Sequence, residues 1–210
     1  MRFKKNIPHY FHRNFNGEHY LGGSPLPGAS AKGVNFHRVL TINARSLLNG
    51  IEFSELPLIS PLKFSSGGLD IQYSFTEKGF KLIHMYSDTP DTSEECISVD
   101  ILPEIRGDFL GIDLKSYGNI LVDAFSPGEF KIKSDSSKLV WLNLQASHQG
   151  VFIKQCFNSD CVAFNRSIQL ISIAYIPISI FEVKHHFPPS LILRFGMCRF
   201  CKTIISDDII

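Results

Sequence analysis

The chain predicts a mainly β fold of antiparallel sheets with few short helices, a β-rich α+β fold being the alternative. Three observations carry that expectation. Apolar and polar residues alternate in several segments, most cleanly in Leu69-Asp70-Ile71-Gln72-Tyr73-Ser74-Phe75, a spacing that gives a strand one dry and one wet face. Glycines and prolines punctuate the apolar segments at short intervals, as in an antiparallel meander. No stretch of a dozen residues repeats convincingly at 3.6. The nearest, Val162–Ile173, is rich in β-branched residues that favour a strand.

Taken in order, residues 1–20 are polar and aromatic, with His9, His12 and His19 scattered among them, and read as an N-terminal arm or edge element. Leu21-Gly22-Gly23-Ser24-Pro25-Leu26-Pro27 is a rigid turn: glycines admit backbone angles other residues resist, and prolines lock φ and lack a donor. Val34–Asn43 alternates with one break near Val39, a strand with a bulge. Ala44–Gly50 has room for one helical turn closed by Gly50. Pro57 and Pro61 mark residues 51–66 as extended loop. Leu69–Phe75 and Phe80–Tyr86 form a hairpin around Glu77-Lys78-Gly79. The polar stretch 87–95 is a surface loop. Strand-like segments follow at Cys96–Leu102, Phe109–Leu114, Ile120–Phe125 and Phe130–Lys133, with turns at Gly107, Gly118 and Pro127-Gly128. Leu139–Gln145 and Val151–Gln155 continue the pattern, and Ser167–Phe181 reads as one or two buried strands. The last residues, ending Ser206-Asp207-Asp208-Ile209-Ile210, alternate poorly and read as a frayed end.

This organisation suits one β-rich domain over 21–210, pseudo-duplicated halves meeting near residue 90 (21–90 and 91–210) being an option. Apolar residues make up 44% of the chain, enough for a substantial core, and charged residues 20%, too few for wholesale disorder. The net charge of +1 offers no basic field for a nucleic-acid backbone, so nucleic acid is not an expected partner. Ser167–Phe181 is shorter than the roughly 18 or more residues of a membrane-spanning helix and contains Pro177, so no membrane role is expected. The basic N-terminus lacks a following apolar stretch, and the five cysteines are an odd number. Both features lead to an expectation of reduced thiols and a cytoplasmic setting.

Gly22-Gly23-Ser24-Pro25-Leu26-Pro27, the strand end Leu40-Thr41-Ile42-Asn43, the loop Pro57–Pro61 before Gly68–Phe75, and Trp141-Leu142-Asn143-Leu144-Gln145-Ala146-Ser147 before Gly150-Val151-Phe152-Ile153 share a pattern. Together they resemble the YwqG-like family of uncharacterised bacterial proteins, distant relatives of the programmed-cell-death-2 domain, over about residues 20–155. The family's Trp-Gly-Asp segment and the Trp after its first Gly-Gly turn have no counterpart here. The resemblance implies a β-rich, pseudo-duplicated fold and a binding role in preference to catalysis.

The sharpest chemical constellation is Cys156-x4-Cys161 with Cys198-x2-Cys201. Two such knuckles supply four thiolates to a tetrahedral Zn²⁺, and His185 or His186 between them could replace one. Buried free thiols, or a redox pair or disulfide, are the competing readings. A nucleophilic Cys96 or Cys156 with His84 or His148 lacks any local signature. The acidic pairs Glu94-Glu95 and Asp207-Asp208 read as solvated loop; Asp108, Asp113 and Asp123 lie near strand ends. No phosphate-binding glycine loop, His-Glu-x-x-His or Gly-x-Ser-x-Gly is present. No catalytic residue is therefore assigned. The expected function is a non-catalytic protein-binding module, an immunity-type inhibitor being one version, with His12, Phe15, Tyr20 and His37 as rim aromatics. A zinc-stabilised structural module, and an enzyme whose site includes His84, Asp108, Asp123 or His148, are the alternatives.

Overall fold

A computed structural model of the chain describes residues 2–3, 9–24, 29–31, 34–49, 54–61, 69–76, 79–87, 102–111, 140–142, 152–181 and 191–209. The strands are β1 (Arg2–Phe3), β2 (His9–Arg13), β3 (His19–Gly23), β4 (Ser30–Ala31), β5 (Val34–Asn35), β6 (His37–Asn43), β7 (Leu48–Asn49), β8 (Glu55–Ser60), β9 (Leu69–Thr76) and β10 (Gly79–Ser87). The chain continues with β11 (Leu102–Gly111), β12 (Trp141–Leu142), β13 (Ile153–Gln155), β14 (Ser167–Gln169), β15 (Ile171–Pro177), β16 (Ile192–Met197) and β17 (Ile204–Ile209). Among the described residues, helical structure is limited to α1 (Ala44–Leu47) and a 3₁₀ turn (Ile178–Phe181). The molecule is mainly β, as the alternation predicts.

Eleven strands form one antiparallel sheet in the order β10-β9-β17-β16-β15-β12-β2-β11-β3-β6-β8. It curls into a half-barrel. Tyr73 of β9, near one end of the order, accepts a hydrogen bond from the Ile59 N–H of β8, the strand at the other end (3.1 Å). The core draws Leu21, Leu40, Ile42, Leu58, Ile173 and Phe195 from across this sheet.

Four elements differ from the sequence reading, each for an identifiable reason. Residues 9–13, assigned to an arm, are the interior strand β2, flanked by β11 and β12, with His9 and Phe11 buried. The stretch read as loop around Pro57 contains β8; it lies at the end of the sheet, where a missing N–H interrupts no ladder on the open side. Gly107, read as a turn, lies within β11. Its missing side chain lets strands approach: a Cβ there would meet His12 O at 2.3 Å and the Phe11 ring at 2.5 Å. The supposedly frayed end is β17, hydrogen-bonded to β16 on one side and β9 on the other. The strands of the two expected halves are interleaved, β9 pairing with β17.

Other expectations hold in place. The β9–β10 hairpin has the expected pairing, with Gly79 at φ 102° opposite Thr76. Gly22 does require a glycine, at φ 70° with Pro103 O 2.1 Å from where a Cβ would stand. The helical turn α1 is capped by the Asn43 side chain, which accepts from the Arg45 N–H, and it ends at Leu47. Gly50, the loop 88–95, the segments Cys96–Ile101, Ile120–Phe125 and Phe130–Lys133, and the turns at Gly118 and Pro127-Gly128 lie outside the described residues.

Candidate metal centre

Two loops at one end of the sheet bring the four C-terminal cysteines together. The first begins where β13 ends, at Cys156. It is closed by a short set of main-chain bonds: Cys161 N–H to Asn158 O (3.0 Å), Phe164 N–H to Cys161 O (2.9 Å) and Asn165 N–H to Cys156 O (2.7 Å). Asn165 takes a positive φ of 56°, a conformation asparagine tolerates better than most residues. The second loop leaves β16 at Cys198 and returns to β17 at Thr203. Cys198 N–H donates to Thr203 O (2.9 Å) and Lys202 N–H to Cys198 O (3.0 Å), with Lys202 at φ 63°. Gly196 takes no part in this turn; it makes room within β16 for the Phe152 ring.

The ligand atoms of Cys156, Cys161, Cys198 and Cys201 lie within 4.8 Å of one another. Cys156 and Cys201 sulfurs are 3.7 Å apart, and Cys161 and Cys198 sulfurs 3.8 Å. Zn–S bonds of about 2.3 Å at tetrahedral angles place sulfurs about 3.8 Å apart. A disulfide needs about 2.05 Å, and all four thiols are free. The spacing therefore suits a tetrahedral ion, and four protein ligands leave no position for a substrate.

The sulfurs also receive hydrogen bonds of the kind thiolates need. Ala163 N–H points to Cys161 Sγ (3.4 Å), and Gln72 Nε2 donates to Cys156 Sγ (3.4 Å). Gln72 Nε2 also donates to Thr203 Oγ1 (2.6 Å), and Gln72 Oε1 accepts from the Phe157 N–H (2.8 Å). That last contact sets the amide's orientation, because a main-chain N–H can only donate. With its oxygen accepting from Gln72, Thr203 is free to direct its own hydrogen at Cys201 Sγ, 3.1 Å away. Burial pushes the thiol of Cys201 up, but hydrogen bonds from the Thr203 hydroxyl and main chain outweigh it and hold the group at about 6. Burial raises Cys198 to about 12 and also raises Cys161. Three of the four cysteines are buried and Cys201 is half-buried.

An ionic group ties the first loop to the sheet. Lys154 of β13 reaches Asp70 of β9 (2.5 Å) and Asp207 of β17 (2.9 Å), and Arg194 of β16 also pairs with Asp207. Arg194 lies over the Phe152 ring at 3.8 Å. Asp70, Asp207 and Asp208 come close enough to suggest a second cation site, but the Lys154 ammonium already occupies the space between the first two. Burial and the charge of Asp207 raise Asp70 to about 7. Burial also opposes ionisation of Asp207, but Arg194 and Lys154 outweigh it and keep that carboxylate low. The Asp207-Asp208 pair, read as solvated loop, thus includes a buried, doubly paired carboxylate.

The remaining candidates separate. His84 stacks on Phe157, at 3.8 Å between ring centres. Asp108 accepts from the Asn14 side chain (2.6 Å) and the Glu18 N–H (3.2 Å), closing the β2–β3 turn. His19 is buried and accepts the Asn43 N–H at Nδ1 (2.9 Å), and burial lowers its basicity. His37 is buried and cannot serve as a rim aromatic; Phe15 is exposed. Glu94, Glu95, Cys96, Asp113, Asp123, His148, His185 and His186 lie outside the described residues. The sequence reading missed Gln72, Thr203 and Lys154. Gln72 stands on the polar side of the cleanest alternating strand and was expected to face water; it is 2% exposed because the first cysteine loop covers it. No local signal marks any of the three.

No helix among the described residues is long and apolar enough to cross a membrane. No family model, no curated protein and no solved structure matches this chain.

Proposed function

We propose that this protein is a zinc-stapled structural module, in which Cys156, Cys161, Cys198 and Cys201 hold one Zn²⁺ and lock the two loops together against β9. The observation that carries the reading is the convergence of four free thiols at tetrahedral spacing, with donors from Ala163, Gln72 and Thr203 aimed at three of them. A fully ligated ion stabilises structure and does not present a reactive coordination position. Elemental analysis of protein purified under reducing conditions should find one zinc per chain, lost with Cys198→Ser. Protein that is metal-free and no less heat-stable after chelation would end the proposal.

A second reading, a protein-binding module, draws on the outer surface of the same loops. Val162, Phe164 and Phe200 are 77%, 43% and 52% exposed. Arg166, Arg199 and Lys202 are exposed beside them in the chain, against the single acid Asp160. Apolar and basic groups together suit a protein partner with an apolar, acidic surface. A photo-crosslinking residue at position 200 should capture a discrete partner that Arg199→Glu abolishes; equal capture from position 104 on β11 would remove the reading.

A further inference from the structure

The four sulfurs are not equivalent. Cys201 alone of the four is incompletely buried, and its neighbours Arg199, Phe200 and Lys202 are exposed, so it is the one of the four residues with a share of its surface open to solvent. Two sulfur–sulfur contacts, Cys156 to Cys201 at 3.7 Å and Cys161 to Cys198 at 3.8 Å, join one loop to the other, within a cluster whose four sulfurs all lie within 4.8 Å of one another. The Thr203 hydroxyl stands 3.1 Å from Cys201 Sγ and accepts from the Gln72 amide, which leaves its own hydrogen available to the sulfur.

We propose that Cys201 is a site of oxidation by hydrogen peroxide, that Cys156 resolves the oxidised sulfur, and that the outcome is a disulfide between the loops with release of the metal; this rests on the zinc reading above. In the first step the Cys201 sulfur attacks one peroxide oxygen. An S–O bond forms, the O–O bond breaks, and hydroxide leaves. Cys201 is oxidised by two electrons to the sulfenic acid and the peroxide is reduced. In the second step the Cys156 sulfur attacks Cys201 Sγ. The S–S bond forms, the S–O bond breaks, and a second hydroxide leaves, both hydroxides taking protons from solvent. The sum is two thiolates and one peroxide giving one disulfide and, after protonation, two waters. The Thr203 hydroxyl can steady the departing oxygen at Cys201. Two of four ligands are consumed, so zinc is no longer held. Because the new bond crosses between loops, it keeps them together where the ion had done so.

The test uses the full chain carrying Cys96→Ala, reduced, with its zinc counted first. Equimolar hydrogen peroxide is added, zinc release is followed with a chromogenic chelator, and disulfides are mapped by mass spectrometry of unreduced peptides. The expected result is zinc release in step with a linked Cys156–Cys201 peptide pair. Thr203→Val, which retains all four thiols, should slow both at least threefold, and Cys201→Ser should abolish the linkage. A first linkage of Cys198 to Cys201, or zinc retained through a tenfold excess of peroxide, overturns the proposal while leaving the zinc reading intact. Reduced protein that carries no zinc overturns the zinc reading and the release step; the peptide map then judges the Cys156–Cys201 linkage by itself.

Discussion

A glutamine amide has two donors and one acceptor, and Gln72 uses all three: Cys156 Sγ, Thr203 Oγ1 and the Phe157 N–H. It therefore orients two of the four cysteines from a strand that contributes no ligand. Supporting hydrogen bonds of this kind typically change metal affinity by 10- to 100-fold. Gln72→Leu removes the N–H···S contact and leaves the Phe157 N–H without its partner, at a cost of about 1–3 kcal/mol. Chelator competition should show zinc held at least tenfold less tightly than by wild type, and unchanged affinity would show that the amide does not support the ligands. Gln72→Glu keeps the acceptor for Phe157 but loses both donors and buries a carboxylate beside the sulfurs, so it should weaken zinc binding at least as much as Gln72→Leu.

The loops are held to the sheet by elements as well as by sulfur. Among the described residues β13 pairs with β14 in a separate ribbon, and Lys154 connects it to β9 and β17. The two carboxylates facing Lys154 titrate in opposite directions. Asp207 stays ionised to low pH because Arg194 and Lys154 hold it, so its contribution is present above the unfolded carboxylate value and disappears as pH falls. Asp70 is raised from 3.8 to about 7, so between those values the folded chain binds more protons than the unfolded one. Its contribution is full below 3.8 and fades as pH rises through about 7. Asp70→Asn resembles the protonated state at every pH. The stability of wild type relative to this variant should therefore decline between about pH 4 and 7, read from urea unfolding of the two zinc-loaded proteins. A difference that stays flat or grows over that range would contradict the assignment.

At the scale of the whole molecule there are separate interiors. The main core runs through the curled sheet, and the cysteines form a small cluster of their own with Ala163, Ile168 packing beside it. Phe152, Leu170 and Ile205 make a third small group. Stripping the metal should consequently loosen one end and spare the rest. Hydrogen exchange after chelation should rise sharply in residues 156–166 and 198–203, while β15 and β16 remain protected and the far-ultraviolet spectrum stays β-like. Collapse of protection throughout the sheet would show instead that the ion is needed for the whole fold.

Much of the strand content was legible in the residues. Alternation marked β9, the turn at Glu77-Lys78-Gly79 marked β10 beside it, the Gly-Gly turn marked a positive φ at Gly22, and two short cysteine spacings named four thiols that folding brings to one point. These are local properties, set by side-chain period, by the steric freedom of glycine and by knuckle geometry. Pairing across the chain was not legible. Gly107 was read as a turn because glycine has the same appearance in a turn and in a crowded strand; only its contact with His12 and Phe11 distinguishes them. The polar end of the chain became β17 because two strands and two cations were waiting for it. Gln72 came to touch the cysteine cluster because a loop some eighty residues later folds over it (|i−j| = 84). Which side chain meets which sulfur, and which carboxylate is left with its proton, depends on distances between remote segments, and those exist only once the sheet has assembled and curled.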